Sequence, residues 1–548
     1  MFMKLFYRFL SALLFLGNFS LYSEAQSITY GSGYSGPLCS ETGNGTGAYY
    51  TGEYRNLFVE ILGKTEKQVQ NKINKIWEHF FTVGSSSAVY YEDERDHNMA
   101  YILDVGNNDV RTEGQSYGMM IAVQLDHKTE FDKLWRWAKK YMQHQSGIWE
   151  GYFAWQCKTD GTKIDVGCAP DGEEYFITAL LLASNRWGND GDIDYNAEAQ
   201  HILKSIRNKV GNGGVHNMYN SDNYMVVFSP LGENVNFSDP SYCLPGFLEL
   251  WARWAETDNE FWYDAAEAAR KLLRLSCHSE SGLFPEYSLF DGTPHRPDWQ
   301  QYDTKQFKFD AIRCALNVGM DYNWFRTDSV NQVAMMTRLL KFFEKDEMQH
   351  GYFDWNGDNP SGPYNEGLAG TNGVACFAVD DTELTKQFLQ KLWFTTPPTG
   401  EWRYFNGMVY FLSMLNISGN FRIYKPTTGM EIIDTTVNDT YNNVTYTKST
   451  EFSYNEGCKI YHVHVNVKTN LAPTSDCGTI LYPNPAEKTT TIATNKEISS
   501  VEVRNTIGKI ETTSTTKSID VANLPKGTYL VTIQFLDKSR EIVELAIN

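Results

Sequence analysis

From about residue 60 to 418 the chain repeats one pattern, apolar residues at three- and four-residue spacing in segments of helical length, with polar loops between them. About twelve such segments are legible, at 66–82, 115–126, 129–144, 173–187, 195–209, 240–256, 259–275, 310–323, 328–345, 367–378, 381–395 and 405–416. Each helical hairpin must bury its apolar stripe against the next, and a closed ring of helical pairs lets every hairpin do so. The expected fold of this region is therefore all-α, a closed barrel of helical pairs. In such a ring the even-numbered helices all run the same way, so their N-termini meet on one face however distant they are in sequence.

The two ends depart from this pattern. The N-terminus, "MFMKLFYRFLSALLFLGNFSLYSEAQS", places Lys4 and Arg8 before an apolar run and small residues at Ser23 and Ala25, which reads as a secretory signal cut after Ala25. No other run approaches the roughly 20 apolar residues that span a bilayer. After about Tyr424 the composition turns to Thr, Asn, Val and Tyr, and residues 428–478 read equally well as a linker or a β-rich extension. From Leu481 the alternating runs "SVEVRNTIGKIETT" and "TYLVTIQF" predict a small β-sandwich. The expected divisions are a signal peptide at 1–25, the helical domain at 26–427, the extension at 428–478 and the sandwich at 479–548.

Nine cysteines in an exported chain leave at least one unpaired. Cys157 with Cys168, and Cys458 with Cys477, are local pairs that could close short loops; lone buried thiols are the alternative. None has the CxxC spacing of a zinc site, and no metal is expected. The net charge of -19 argues against nucleic acid or an anionic membrane as partner. An aromatic share of 14 %, with 14 Trp and 33 Tyr, suits sugar faces as well as ordinary cores.

The stretch "RTEGQSYGMM", Arg111 to Met120, admits two chemistries. Gly114 to Gly118 match GxSxG, the nucleophile elbow of serine hydrolases, but that motif needs a buried strand running into a tight turn, and the preceding "DVGNNDVRTE" has no apolar run. The other candidate is Glu113. Thr112 and Gln115 have capping-box spacing, which predicts a helix starting at Glu113. The arrangement recurs in "APDGEEYF", with Asp171 as N-cap and Glu174 three residues on, and in "FKFDAIRC", where Asp310 precedes a helix bearing Arg313. Each acid alone is an ordinary helix-start residue. Together they open the second, fourth and eighth segments, all of one parity, and would gather at one mouth of the ring. Paired carboxylates in an aromatic cleft are what glycoside hydrolysis needs. A general acid there must have its pKa raised by burial or by a charged neighbour such as Asp171, against the helix N-terminus.

At these residues the sequence resembles glycoside hydrolase family 8, over about 55–425. The resemblance is carried by "DVRTEGQSYGMMIAVQLDHK", "GYFAWQC", "APDGEEYF", "FSDPSYCLP", "SGLFPEYSLFDGTP", "FDAIRCALNVGMDYNWF" and "RYFNGMVYFLSMLNISGNF". It implies an (α/α)6 barrel and an inverting, metal- and cofactor-free mechanism, with Glu113 as general acid, Asp310 as base, Asp171 binding the sugar at the cleavage subsite and Arg313 orienting the base. It also implies that Trp155, Tyr242, Phe309 and Tyr404 contact the substrate. Within the family the likeness is to xylan-active members, especially those releasing xylose from the reducing end of xylo-oligosaccharides. In those members a Leu-His-Pro loop closes the cleft, and the corresponding stretch here reads "GPYNEGLAGTNG", Gly362 to Gly373, which leaves endo-xylanase action open. Another β-glycan (cellulose, mixed-linkage glucan or chitosan) and a non-catalytic glycan-binding protein are the other readings. A monomer is expected. The tail, through "LYPNPA" and "DVANLPKGTYLV", resembles the C-terminal sorting domain of the type IX secretion system, which implies that machinery as partner and a secreted or cell-surface location; an adhesive or carbohydrate-binding sandwich is the alternative.

Overall fold

Two kinds of helix alternate along residues 66–417. The computed structural model describes residues 45–209, 212–426, 479–505 and 509–547, with strand segments between 431 and 466. The helices are α1 (Glu66–Phe81), α2 (Thr112–Leu125), α3 (Lys128–Trp137), α4 (Pro170–Trp187), α5 (Tyr195–Arg207), α6 (Pro245–Trp254), α7 (Asn259–Ser276), α8 (Arg313–Trp324), α9 (Ser329–Lys345), α10 (Glu366–Ala375), α11 (Thr382–Phe394) and α12 (Arg403–Ile417). The even-numbered ones are buried on nearly every side; every residue from Gly114 to Gln124 in α2, and the whole of α6, is buried. A helix apolar all round belongs inside a core. Each packs on the next even-numbered helix, and α12 packs back on α2, closing an inner ring. The odd-numbered helices carry a single stripe, as in α1, where Val69, Ile73, Ile76 and Phe80 are buried and the opposite face is wet. Three of these outer helices start with ordinary side-chain caps, the Thr65–Gln68 capping box of α1 and the Asp194 and Asp381 caps of α5 and α11. The structure is thus the all-α barrel of six helical pairs that the periodicity predicts.

Small residues let the inner helices approach closely. A Cβ on Gly114 would lie 2.4 Å from the Tyr404 ring of α12, and one on Gly319 would lie 2.3 Å from the Val374 carbonyl oxygen of α10. Loops on the N-terminal side of the inner helices build the site. The largest is a five-stranded antiparallel sheet in the order β1 (Tyr90–Glu92), β2 (Ala100–Asp104), β3 (Asp109–Arg111), β4 (Gln156–Cys157) and β5 (Lys163–Asp165).

Several local expectations are corrected. A strand, β3, does run straight into α2, short and paired through Val110 and Arg111 with β4, so the polarity of the sequence concealed it. Ser116 nevertheless sits in an ordinary helical turn, buried and donating to the Glu113 carbonyl, without the exposed position an elbow requires. Thr112 and Gln115 form no capping box: Arg111 is the N-cap, and the buried Gln115 amide instead donates to the Ala100 and Leu134 carbonyls and accepts from Ile102 N–H. Asp171 is the second residue of α4, after an Ala169 N-cap, and Glu174 accepts from the Tyr219 hydroxyl inside the core. Cys157 and Cys168 are buried free thiols. Most of Gly362 to Gly373 is no loop, since residues from Glu366 on belong to α10. The signal segment 1–25, Cys39, Cys458 and Cys477 lie outside the described residues.

The chain divides into two compact units, and the second begins at Ile432. Strands Glu431–Asn438, Lys459–Asn466 and Thr450–Glu456 form a sheet in that order. In the tail, one sheet holds Ile480–Tyr482, Thr489–Ala493 and Ser518–Asp520, and the other Ile510–Ser514, Ile498–Arg504, Gly527–Phe535 and Arg540–Ile547. Alternate residues such as Val501, Val503, Val531 and Ile533 face Leu481, Ile492 and Ile519 in one small core, the period-two pattern of a β-sandwich.

Candidate active site

Three inner helices, α2, α4 and α8, begin without a side-chain cap, and their first turns converge. Arg313, the first residue of α8, occupies the point of convergence. Its Nη1 donates to Glu113 Oε2 at 3.0 Å, Asp171 Oδ2 at 2.6 Å and Tyr117 Oη at 2.7 Å. Its Nη2 donates to Ser241 Oγ at 2.8 Å and lies 3.5 Å from Asp310 Oδ1 and 4.0 Å from Asp239 Oδ2. Helices of one parity thus bring Glu113, Asp171 and Asp310 around one guanidinium, whose planar fork can address several carboxylates at once.

The three acids differ in access. The side chains of Asp171 and Glu113 are 6 % and 15 % exposed, whereas that of Asp310 is 35 % exposed. Asp310 stands in the tight turn Phe309–Ile312, entered through Phe309 at a φ of 39°, a left-handed conformation that is strained for an aromatic residue. That turn swings the carboxylate out of the packed ring toward the cleft.

Burial pushes the Glu113 carboxyl up to about 7; the Arg313 cation opposes this, the Asp310 and Asp171 charges add to it, and the hydrogen bond from Tyr404 Oη, at 2.8 Å to Oε1, opposes it again. Burial also raises Asp171, with Arg313 as the chief counterweight. Asp239, wholly buried, is held well above the carboxylate range by burial and then by Asp310. One guanidinium cannot neutralise every acid around it, so burial and the neighbouring negative charges favour the protonated form at Glu113, Asp171 and Asp239. Burial thus prevails over the helix N-terminus at Glu113, as a general acid requires.

Glu113, Asp171 and Asp310 line a cavity of about 610 Å³ together with Trp155, Tyr242, Phe309 and Tyr404. Every candidate residue is therefore at the cavity except Arg313, which stands behind the acids. Trp155 is fixed by its backbone, its N–H donating to Gly167 and its carbonyl accepting from Thr112 N–H, and Arg111 lies 5.7 Å over its ring. Among the described residues no His, Cys, Asp and Glu cluster is disposed to hold a metal ion.

The structure adds groups that the sequence reading passed over. Asp239 and Ser241, both within "FSDPSYCLP", hold the far side of Arg313; an Asp-Pro pair opening a short helical turn was the available signal. Tyr117 is one helical turn beyond Glu113, so its facing was legible from spacing alone. Glu286 accepts from Tyr302 Oη at 3.0 Å and is pushed up to about 9 by burial and then by Asp310. Trp402 also lines the cavity.

A buried, elevated carboxyl and a water-accessible one in an aromatic cleft are the groups that a glycoside hydrolase needs. The chain belongs to the glycosyl hydrolases family 8, whose model matches residues 84–419. It is 42 % identical over 390 residues to the reducing end xylose-releasing exo-oligoxylanase of Halalkalibacterium halodurans, covering 69 % of this chain and 97 % of that one. It is 42 % identical over 389 residues to the reducing-end xylose-releasing exo-oligoxylanase Rex8A of Paenibacillus barcinonensis, covering 69 % of this chain and 99 % of the relative. A solved structure of a Rex8A mutant, complexed with an arabinofuranosyl-xylotetraose, superposes with a TM-score of 0.66 at 41 % identity, covering 70 % of this chain and 99 % of the other. Residues 480–545 match the secretion system C-terminal sorting domain, which marks the protein for secretion by the type IX system to the cell surface or beyond.

Proposed function

We propose that the protein hydrolyses β-1,4-xylosidic bonds with inversion, releasing xylose from the reducing end of xylo-oligosaccharides. Glu113 is the general acid. Its proton passes to the glycosidic oxygen as the bond from that oxygen to the anomeric carbon breaks. Asp310 is the base: a water gives a proton to its carboxylate while the water oxygen bonds to the anomeric carbon from the opposite face, yielding an α-anomer from a β-linkage. Asp171 holds the sugar at the cleavage subsite, Arg313 orients both carboxylates, and Trp155, Tyr242, Phe309 and Tyr404 contact the chain. The single observation that carries this reading is the Arg313 junction, which joins a buried carboxyl raised to about 7 with an acid open to water. The substrate rests on the relatives' activities.

A second reading, endo-xylanase, is favoured by the stretch before α10. Ser361–Pro363 is an exposed strand only two residues from the Asn365 cap, with no Leu-His-Pro sequence to close the cleft. Xylohexaose labelled in its reducing-end unit separates the two. Labelled free xylose as the first product supports exo action; labelled xylobiose or xylotriose supports the endo reading.

A further inference from the structure

A second cavity, of about 570 Å³, adjoins the first and shares with it Arg111, Trp155, Ala169, Tyr242 and Asp310, but neither Glu113 nor Asp171 lines it. Its far wall is Trp299, an indole 47 % exposed. Exposed tryptophan is common enough on a surface to need no explanation when the ring is free to move. This one is fixed. Its Nε1 donates to Asn234 Oδ1 at 3.1 Å, across 65 residues of chain. Phe228 lies 5.7 Å from it, centroid to centroid, and Tyr287 6.4 Å. The loop beneath is clamped, with Arg296 Nε and Nη2 donating to the Gln300 carbonyl at 3.0 and 2.8 Å. The indole thus stands half-exposed in the lining of the cavity while its nitrogen and its loop are tied down. Asn234, Ser229 and Gln300 supply polar groups around it. An apolar plate with hydrogen-bonding groups at its rim is complementary to a neutral pyranose, which has apolar ring faces and a hydroxyl edge.

We propose that Trp299 is the stacking platform of a distal sugar subsite on the non-reducing side of the scissile bond, and that it sets the enzyme's chain-length preference; this rests on the xylo-oligosaccharide reading above. The side follows from that reading. The acid faces the leaving group, and of the two cavities Glu113 lines the first and not the second, so the released xylose is assigned to the first. Every additional unit of a longer chain then extends past Asp310 into the second.

The test compares wild type, Trp299→Ala, Trp299→Phe and Asn234→Ala on xylo-oligosaccharides from xylobiose to xylohexaose. Trp299→Ala is expected to lower kcat/KM on xylohexaose about tenfold through KM, with kcat and the xylobiose value close to wild type, as loss of remote binding requires. Trp299→Phe should retain most of the preference, and Asn234→Ala, which frees the ring, should fall between. An equal loss at every chain length, or none at any, overturns the proposal. Calorimetric titration of Glu113→Gln and Glu113→Gln/Trp299→Ala with xylohexaose and cellohexaose keeps the two claims apart. Weaker binding of the favoured hexaose by the double variant supports the platform even where that hexaose is cellohexaose, a result that would contradict the xylan reading alone. Identical binding by both variants overturns the platform.

Discussion

At Glu113 the proposed chemistry rests on a conflict between burial and charge. The carboxyl is raised from an ordinary 4.5 to about 7, so the folded state holds a proton that the unfolded chain releases. The stability this group contributes is fully present below about pH 4.5 and is lost as pH rises through about 7. Glu113→Gln removes that dependence while keeping a carbonyl for Arg313 and an amide for Tyr404. The melting temperature of the variant relative to wild type should therefore rise between about pH 4.5 and 7 and then level off, a difference readable by calorimetry across the range. A constant difference would place the carboxyl's pKa in the usual range and remove it as the acid. Turnover by the variant should fall by roughly 10²–10⁴-fold. The alkaline limb of kcat/KM for wild type should lie near pH 7, as a property of the coupled acids rather than of Glu113 alone.

At the scale of the element, the site depends on how closely α2 and α12 approach. Tyr404 reaches Glu113 only because Gly114 has no side chain: a Cβ there would sit 2.4 Å from the ring and 2.6 Å from its hydroxyl oxygen. Gly114→Ala should destabilise the barrel by about 1–3 kcal/mol, as overpacking does. It should also depress kcat by moving Tyr404, which a chemical-denaturation curve and a rate measurement would show together. A variant of unchanged stability and rate would mean the two helices are free to part. The helices themselves were legible from their spacing, because burial on one stripe or on all sides writes a 3.6-residue period. Their parity alone places Glu113, Asp171 and Asp310 at one mouth. What the sequence hid was local. β3 is too short and too polar to show a strand pattern, and the Thr112–Gln115 spacing imitated a capping box while Gln115 served as a buried bridge among three backbone segments. Asp239 was overlooked because its role depends on a side chain 74 residues away, at Arg313.

Across the whole molecule, catalysis and export reside in different units. All the acids, the Arg313 junction and both cavities belong to the barrel, whereas the sorting domain has its own core of alternating strand residues. A chain ending at residue 478 should retain wild-type kcat/KM on xylohexaose and lose delivery outside the cell; a large loss of activity in the purified truncated protein would show that the tail serves the site. The central claim is that Glu113 and Asp310 act as acid and base across a water. Proton NMR of xylohexaose during the first turnovers, faster than mutarotation, tests it most directly. The newly formed reducing end should appear first as the α-anomer; a β-anomer formed first would mean a covalent intermediate and would contradict the assignment of Asp310.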